Sequence, residues 1–333
     1  MSETLRSSCE LFIKNRDLFK EAFPWENAGF YPICAATYTD KGRLADVETL
    51  KNTRKLIKSR LSAFSNFRGA SEMPLIAMLS ICDDPEERLD GAIALYGDLK
   101  DHFFSSEYLP VAAVILSGEV GRERYGEIAE RTRRIYDLMK KDHPFLTSGE
   151  DAVFAAIFAL SDKSDEELLD EAEAVYTNLT SKFSDRNALQ SLSHVLALAD
   201  DGMRTAGDRC RDTARLYDML KEKKQRYGTG YELATLGTLA TLPGSLDETV
   251  HDLIDASEFL KTQKGYGFWG SFGKQQRLMH AAMIVTSDRI GGSEASSGAA
   301  ISGTISMIAA QHAATCAAIS VSIAASSAAN AAR

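Results

Sequence analysis

Two segments of the chain carry a histidine close to carboxylates in a matching order. They are Asp101-His102-Phe103-Phe104-x-Ser106-Glu107 and Asp142-His143-x-Phe145-x-x-Ser148-x-Glu150. Histidine beside a carboxylate can perform general acid–base catalysis or hold a metal ion. The same residue types also suit the two ends of helices, and capping is the preferred interpretation. We keep His102, Glu107, His143 and Glu150 as candidates for ligand binding.

The corresponding later segments replace histidine with glycine and aromatic residues. Residues 225–232 include Tyr231, and residues 265–273 include Tyr266 and Trp269. Aromatic rings on a loop that contains glycine can stack against a sugar, a base or a peptide side chain. A loop folded over the end of a helical array explains these residues equally well. Tyr231 and Trp269 are therefore further ligand-binding candidates.

No established catalytic motif is present. The chain has no phosphate-binding loop, no G-x-G-x-x-G after a strand, no H-E-x-x-H and no G-x-S-x-G. Asp83-Asp84-x-x-Glu87 resembles a magnesium-binding aspartate motif, but aspartate directly before a proline is better explained as a helix start. His194 and His280 lie in apolar segments, where a histidine more often packs in the core. We predict no catalytic residue, no metal site and no cofactor.

The helices that must position these residues repeat along the chain. Short apolar segments alternate with longer, charged, amphipathic ones, and the longer ones carry a tyrosine in matching context. Tyr96, Tyr136, Tyr176 and Tyr217 lie 40, 40 and 41 residues apart. A period of this length with helix–turn–helix content indicates stacked helical hairpins. We predict an all-α fold of α/α hairpin repeats of about 40 residues, either an α-solenoid or an α/α toroid.

Several local patterns predict where helices begin and what they bury. Four starts can be read: Asp84 before Pro85, and the capping-box pairs Thr147/Glu150, Ser164/Glu167 and Ser245/Glu248. The apolar helix after Glu150 should bury Phe154, Ile157 and Leu160, while the next helix should expose Glu167, Asp170 and Glu171. The repeated tyrosines should pack between neighbouring hairpins.

The longer helices alternate between acidic and basic net charge along the chain. One basic cluster contains Arg131, Arg133 and Arg134, and another begins at Arg209. Such clusters could bind phosphate, but acidic residues are interleaved with them, so we predict solvated or paired faces instead. The net charge of −9 makes nucleic-acid binding unlikely.

The chain divides by composition into three parts. Residues 1–28 are predicted to form an N-terminal capping helix, residues 29–290 the helical-hairpin repeat domain, and residues 291–333 an Ala/Ser-rich tail. The tail is too polar for a membrane span, and we expect a helix that docks or self-associates, with disorder as the alternative. Scattered cysteines and a charged N-terminus without an apolar stretch predict a cytoplasmic protein.

The segment DHPFLTSGEDAVFAAIFALS, with the preceding YDLMKK and the later AAQHAA, carries a family resemblance. It resembles a bacterial family of unknown function, domain of unknown function 4003, over most of the chain. The resemblance implies a cytoplasmic bacterial protein and implies no activity.

The sequence therefore favours a binding or scaffold protein that uses the edge of a helical repeat array. Its partner is an unknown protein, a peptide or a small polar ligand. The alternative is an enzyme on an α/α toroid with a histidine/carboxylate site at the helix joints. An enzyme should gather His102, His143, Glu107 and Glu150 in one pocket, whereas a scaffold should disperse them.

Overall fold

The computed structural model describes residues 1–104, 106–199, 204–267 and 270–291. The described residues form fourteen α-helices and two short 3-10 helices, with no β-strand among them, which confirms the predicted all-α class. The helices are α1 Glu3–Ala22, α2 Phe30–Asp40, α3 Val47–Arg60, α4 Glu72–Ser80, α5 Pro85–His102, α6 Leu109–Glu119, α7 Tyr125–Asp142, α8 Asp151–Phe158, α9 Asp165–Leu179, α10 Arg186–Leu198, α11 Ala206–Glu222, α12 Leu233–Thr241, α13 Leu246–Lys261 and α14 Lys274–Gly291. The 3-10 helices are Asn66–Arg68 and Arg122–Arg124.

Odd-numbered helices are mostly long and charged, whereas the even-numbered helices α4, α6, α8 and α12 are short and apolar. In α8 every residue is buried, including Phe154 and Ile157 as predicted. Leu160 is only half-buried, because α8 already ends at Phe158. In α9 the expected exposure of Glu167 and Asp170 is confirmed. Glu171 is half-buried instead, because it pairs with the buried Arg209.

The helices belong to two compact units. The described residues of unit A are 17–34, 45–104 and 106–165, and those of unit B are 1–16, 35–44, 166–199, 204–267 and 270–291. In unit A the apolar helix α6 packs against both α4 and α8, while the charged helix α5 packs against both α3 and α7. Helices α4, α6 and α8 also each contact an odd-numbered neighbour, so this part of unit A has an apolar layer and a charged layer.

Unit B repeats this arrangement and also contains the start of the chain. Helix α12 packs against α10 and α14, and α11 packs against α13. The Ser8 hydroxyl donates a hydrogen bond to Asp288 at 3.0 Å, and the Ser287 hydroxyl donates one to Asp40. The ring of Phe12 lies 6.2 Å from that of His280, measured between centroids. Residues 1–16 and 35–44 therefore pack against α14.

Three of the four repeated tyrosines, Tyr96, Tyr136 and Tyr217, pack between neighbouring helix pairs as predicted. In unit A the Tyr96 ring meets Phe67 edge-on at 5.1 Å, and the Tyr136 ring meets Phe103 at 5.3 Å. In unit B the Tyr217 ring meets Phe183 edge-on, also at 5.3 Å. Each phenylalanine follows one charged helix, and each tyrosine lies on the next charged helix.

The charged helices pair with each other, which confirms the preferred interpretation of the basic clusters. Arg131 and Arg134 of α7 both bind the buried Asp165 at the start of α9, at 2.9 and 2.6 Å. Arg131 also donates to carbonyl oxygens just after α8, including that of Ser161 at 2.7 Å. In unit B, Arg209 of α11 pairs with Glu171 of α9.

Candidate functional site

The site predicted from sequence lies at the joints, the segments that lead from an odd-numbered helix into the next even-numbered one. Joints 1 to 4 belong to unit A and are residues 23–29, 61–71, 103–108 without the undescribed residue 105, and 143–150. Joints 5 to 7 belong to unit B and are residues 180–185, 223–232 and, among the described residues, 262–267 with 270–273.

Joints 1 to 4 lie side by side. Arg54 of α3 binds Glu26 of joint 1 at 2.7 Å and Glu72, the first residue after joint 2, at 2.5 Å. The Asn66 amide of joint 2 donates to the Ser106 carbonyl of joint 3 at 2.9 Å. Joint 4 continues the row beside joint 3: a Cβ placed on its Gly149 would meet the Tyr108 ring at 3.5 Å. The four joints therefore form one edge of unit A.

His102, the last residue of α5, and Glu107 of joint 3 make different contacts. The His102 side chain is exposed, and its backbone carbonyl accepts a hydrogen bond from Arg133 at 2.7 Å. Glu107 is half-buried, and its carboxylate accepts the Ala70 N–H of joint 2 at 2.9 Å. A Cβ on Gly69 would overlap the Glu107 carboxylate, so a larger residue there would displace that side chain. Within the described residues no hydrogen bond or ion pair joins His102 to Glu107.

Joint 4 corrects the predicted Thr147/Glu150 capping box. Helix α8 begins at Asp151, and Glu150 makes no side-chain capping bond. The Thr147 hydroxyl donates to the Met139 carbonyl at 3.1 Å, which ties the joint to the end of α7. Asp151 accepts the Ser148 N–H at 2.7 Å, so the carboxylate that holds this turn is one residue later than the pattern predicted.

His143 and the carboxylates of joint 4 lie close in the chain but differ in environment. His143 is half-buried and forms the C-cap of α7, with its N–H donating to the Met139 carbonyl at 2.9 Å. Glu150 is also half-buried. Burial raises the pKa of Asp151 to about 7, the Ser148 N–H opposes that rise, and the negative charge of Glu150 adds to it.

Four aromatic side chains on this edge, which sequence reasoning did not select, are almost completely exposed. Trp25, Phe64, Phe104 and Phe145 have exposed fractions of 95%, 96%, 96% and 99%. One stands in each of joints 1 to 4, at intervals of 39, 40 and 41 residues. That spacing was a signal available in the sequence. The sequence did not show which aromatic residue of each joint faces solvent, because Phe23, Phe67 and Phe103 nearby are buried.

Joint 6 meets the first turn of α14 in unit B around Tyr231. The Gln276 amide donates to the Tyr231 hydroxyl at 3.1 Å, and Lys274 donates to the Lys224 carbonyl at 2.7 Å. Burial raises the pKa of Tyr231, and the hydrogen bond from Gln276 opposes that rise. The sixth candidate, Trp269, lies outside the described residues. Tyr231 is thus held between joint 6 and the start of α14.

Buried histidine in unit B serves packing. His280 accepts or donates a hydrogen bond with the Tyr266 hydroxyl at 2.8 Å and is enclosed by the rings of Phe12 and Phe272. Burial lowers its pKa to about 3, so the imidazole is neutral at physiological pH. Across the described residues no group of three or more His, Cys, Asp or Glu side chains is arranged to hold a metal ion.

The fold and this edge define an all-helical protein of paired helices with an exposed aromatic row. The chain belongs to the family of proteins of unknown function DUF4003, whose model matches residues 15–313. Comparison with curated proteins and with solved structures finds no match. In the part of the chain that the structure describes, no helix combines the length and apolar character needed to cross a bilayer.

Proposed function

We propose that this protein is a binding protein and that its contact surface is the edge of unit A formed by joints 1 to 4. The observation that carries the proposal is the aromatic row, defined as Trp25, Phe64, Phe104 and Phe145. A single exposed apolar side chain is ordinary on a protein surface. Here four large rings are exposed at the same structural position. Burying each ring against a partner would contribute about 1.5–3 kcal/mol to binding.

The histidines predicted as ligand-binding residues fit this surface. His102 and His143 each precede an exposed phenylalanine, Phe104 or Phe145, by two residues. In this proposal the rings supply apolar contact and the imidazoles supply polar contact with the partner. Glu107 has a supporting role, because its carboxylate holds joint 2 against joint 3 through the Ala70 N–H.

The remaining sequence-based expectations belong to the same proposal. Tyr231 and Trp269 are candidates for a second contact surface in unit B, and Glu150 is a candidate in unit A. The setting is the bacterial cytoplasm that the family resemblance implies. We also propose the division into an N-terminal capping helix (1–28), a helical-hairpin repeat domain (29–290) and an Ala/Ser-rich tail (291–333). Self-association through the tail is proposed as well, and residues 292–333 lie outside the described residues.

An enzyme with a histidine/carboxylate site at the joints is the alternative. It requires His102 to meet a carboxylate such as Glu107. The Glu107 carboxylate instead accepts a backbone N–H of the neighbouring joint, which favours the binding protein.

Site-specific photocrosslinking in the cells that make the protein tests the proposal. The photoreactive residue p-benzoylphenylalanine replaces Phe104 or Phe145 in the full chain, and Glu130, exposed on α7, is the control position. Crosslinked products are expected from positions 104 and 145 and not from position 130. Equal yields at all three positions, or none at any, would refute a contact surface at this edge.

A further inference from the structure

The exposure of the aromatic row restricts the kind of partner that fits it. A small-molecule site is concave and surrounds its ligand, and the key residues of protein interfaces lie in well-packed pockets. Rings with exposed fractions of 95% to 99% touch almost nothing in their own protein, so they form no pocket walls. Protruding rings without a pocket suit a partner that deforms around them. The interfacial zone of a lipid bilayer is such a medium.

The spacing of the rings suits a flat surface. Neighbouring helices pack with axes about 8–10 Å apart, so rings in consecutive joints are separated by roughly one such distance. Four rings in a row then extend over about 25–30 Å along one edge. Contacts between joints 1 and 2, 2 and 3, and 3 and 4 hold the row together. The four rings therefore lie along one edge of unit A, which is what contact with a single flat surface requires.

The charge next to the rings differs from that of the chain as a whole. Segments 20–25, 58–64, 100–104 and 140–145 run from the last turn of each charged helix to the exposed ring. Together they contain six Lys and Arg residues against three Asp and Glu, whereas the whole chain has 38 against 47. All six cations are exposed, but Arg60 pairs with Glu86 and Asp90 of α5. The cations available to lipid are therefore Lys20, Lys58, Lys100, Lys140 and Lys141. Cations beside the rings complement the anionic headgroups of a membrane surface.

We infer that the aromatic row is a membrane-docking edge, which inserts Trp25, Phe64, Phe104 and Phe145 among the headgroups of a bilayer that contains anionic lipid. This inference rests on the proposed binding function of the same edge and names its partner. The lysines of the last helical turns contact lipid phosphates, and their long stems lie along the apolar boundary. No membrane-spanning helix is required, because the chain lies on the surface.

Vesicle co-sedimentation of the full chain tests the inference. One set of vesicles contains phosphatidylglycerol in phosphatidylcholine, and the other contains phosphatidylcholine alone. The unmodified protein should bind the anionic vesicles at least about tenfold more tightly than the neutral ones. The double variant Phe104→Ser/Phe145→Ser should bind at least about tenfold more weakly. Leu44→Ser, which changes an exposed apolar side chain outside the row, should bind like the unmodified protein.

Two further variants separate charge from apolar contact. Lys140→Gln/Lys141→Gln should weaken binding to the anionic vesicles and leave binding to neutral vesicles unchanged. Lipids with brominated chains should quench the tryptophan fluorescence of the bound protein, and Trp25→Phe should remove most of that quenching. Far-UV circular dichroism of every variant confirms that the helices are intact.

The outcomes distinguish this inference from the proposed function. If the protein does not sediment with vesicles, or if the Phe104→Ser/Phe145→Ser variant binds as well as the unmodified protein, the membrane inference is wrong. Crosslinks from positions 104 and 145 to another protein, without vesicle binding, would overturn the inference and leave the binding edge standing. Absence of both crosslinks and vesicle binding would overturn both.

Discussion

Replacing Glu171 with alanine should destabilise unit B strongly, because Arg209 would lose its carboxylate partner inside the protein. The Arg209 side chain is fully buried on α11 and forms an ion pair with Glu171 on α9. Its Nη1 also donates to the Arg204 carbonyl at 2.7 Å. Burial lowers the pKa of Arg209, which reflects the hydration that the guanidinium gives up. The guanidinium nevertheless stays charged at neutral pH.

The expected loss follows from this geometry. Removing one partner of a buried ion pair costs about 3–5 kcal/mol, chiefly because the other charge stays buried. The Glu171 side chain keeps 16% exposure, so water can reach part of the site and we expect about 3 kcal/mol. Arg209→Met removes the charge and keeps an apolar stem in the same space. The double variant Glu171→Ala/Arg209→Met should therefore recover most of the lost stability.

Urea denaturation followed by circular dichroism provides the assay. With a urea slope of about 1–3 kcal/mol per molar, Glu171→Ala should lower the midpoint by about 1 M or more. Glu166→Ala is the matched control, because Glu166 is exposed near the start of the same helix. A change within about 0.5 kcal/mol is expected there. If Glu171→Ala costs no more than Glu166→Ala, or if Arg209→Met gives no recovery, the buried charge does not govern stability here.

Three further predictions follow from other contacts. Tyr136→Ala should lower the free energy of unfolding by about 3 kcal/mol, because Tyr136 is 9% exposed and its ring packs between helix pairs. Tyr136→Phe keeps the ring and should lower it by less than about 1 kcal/mol. Equal losses for the two variants in urea denaturation would contradict this prediction. The folded pKa of Asp151 is about 7, against about 3.9 unfolded, so the folded state binds the extra proton and stability falls as pH rises from about 4 to about 7. Asp151→Asn should flatten the profile of melting temperature against pH between about pH 4 and 7, and it should raise the free energy of unfolding at pH 8 by at most about 4 kcal/mol. Parallel profiles for the variant and the unmodified protein would refute the raised pKa of Asp151. Gly69→Ala should lower the free energy of unfolding by about 1 kcal/mol, because the added Cβ displaces Glu107. Gly97→Ala on α5, where the added Cβ meets open space, should raise it by about 0.5–1 kcal/mol. Thermal unfolding of both variants measures the two changes.

Features that depend on neighbours in the chain could be predicted from the sequence by itself. The alternation of apolar and charged segments determined the all-α class, because each helix must bury its own apolar face. The helix start at Asp84 is confirmed, with its carboxylate accepting the Glu86 and Glu87 N–H groups. The capping box of Ser245 and Glu248 is also confirmed. Such contacts span only three residues, so the local sequence is enough to specify them.

Features that depend on side chains from another part of the chain were decided by the tertiary structure. Phe103 and Phe104 are adjacent and chemically identical, yet Phe103 is buried because Tyr136 of the next helix pair covers it, while Phe104 has no such cover. Glu107 has the position of a helix-start residue and instead holds joint 2, because packing of successive helices brings Ala70 to its carboxylate. Glu171 was expected to be exposed, but Arg209 comes from a helix more than 30 residues later in the chain. The aromatic row arises in the same way, since only the packing of successive helix pairs brings four distant joints to one edge.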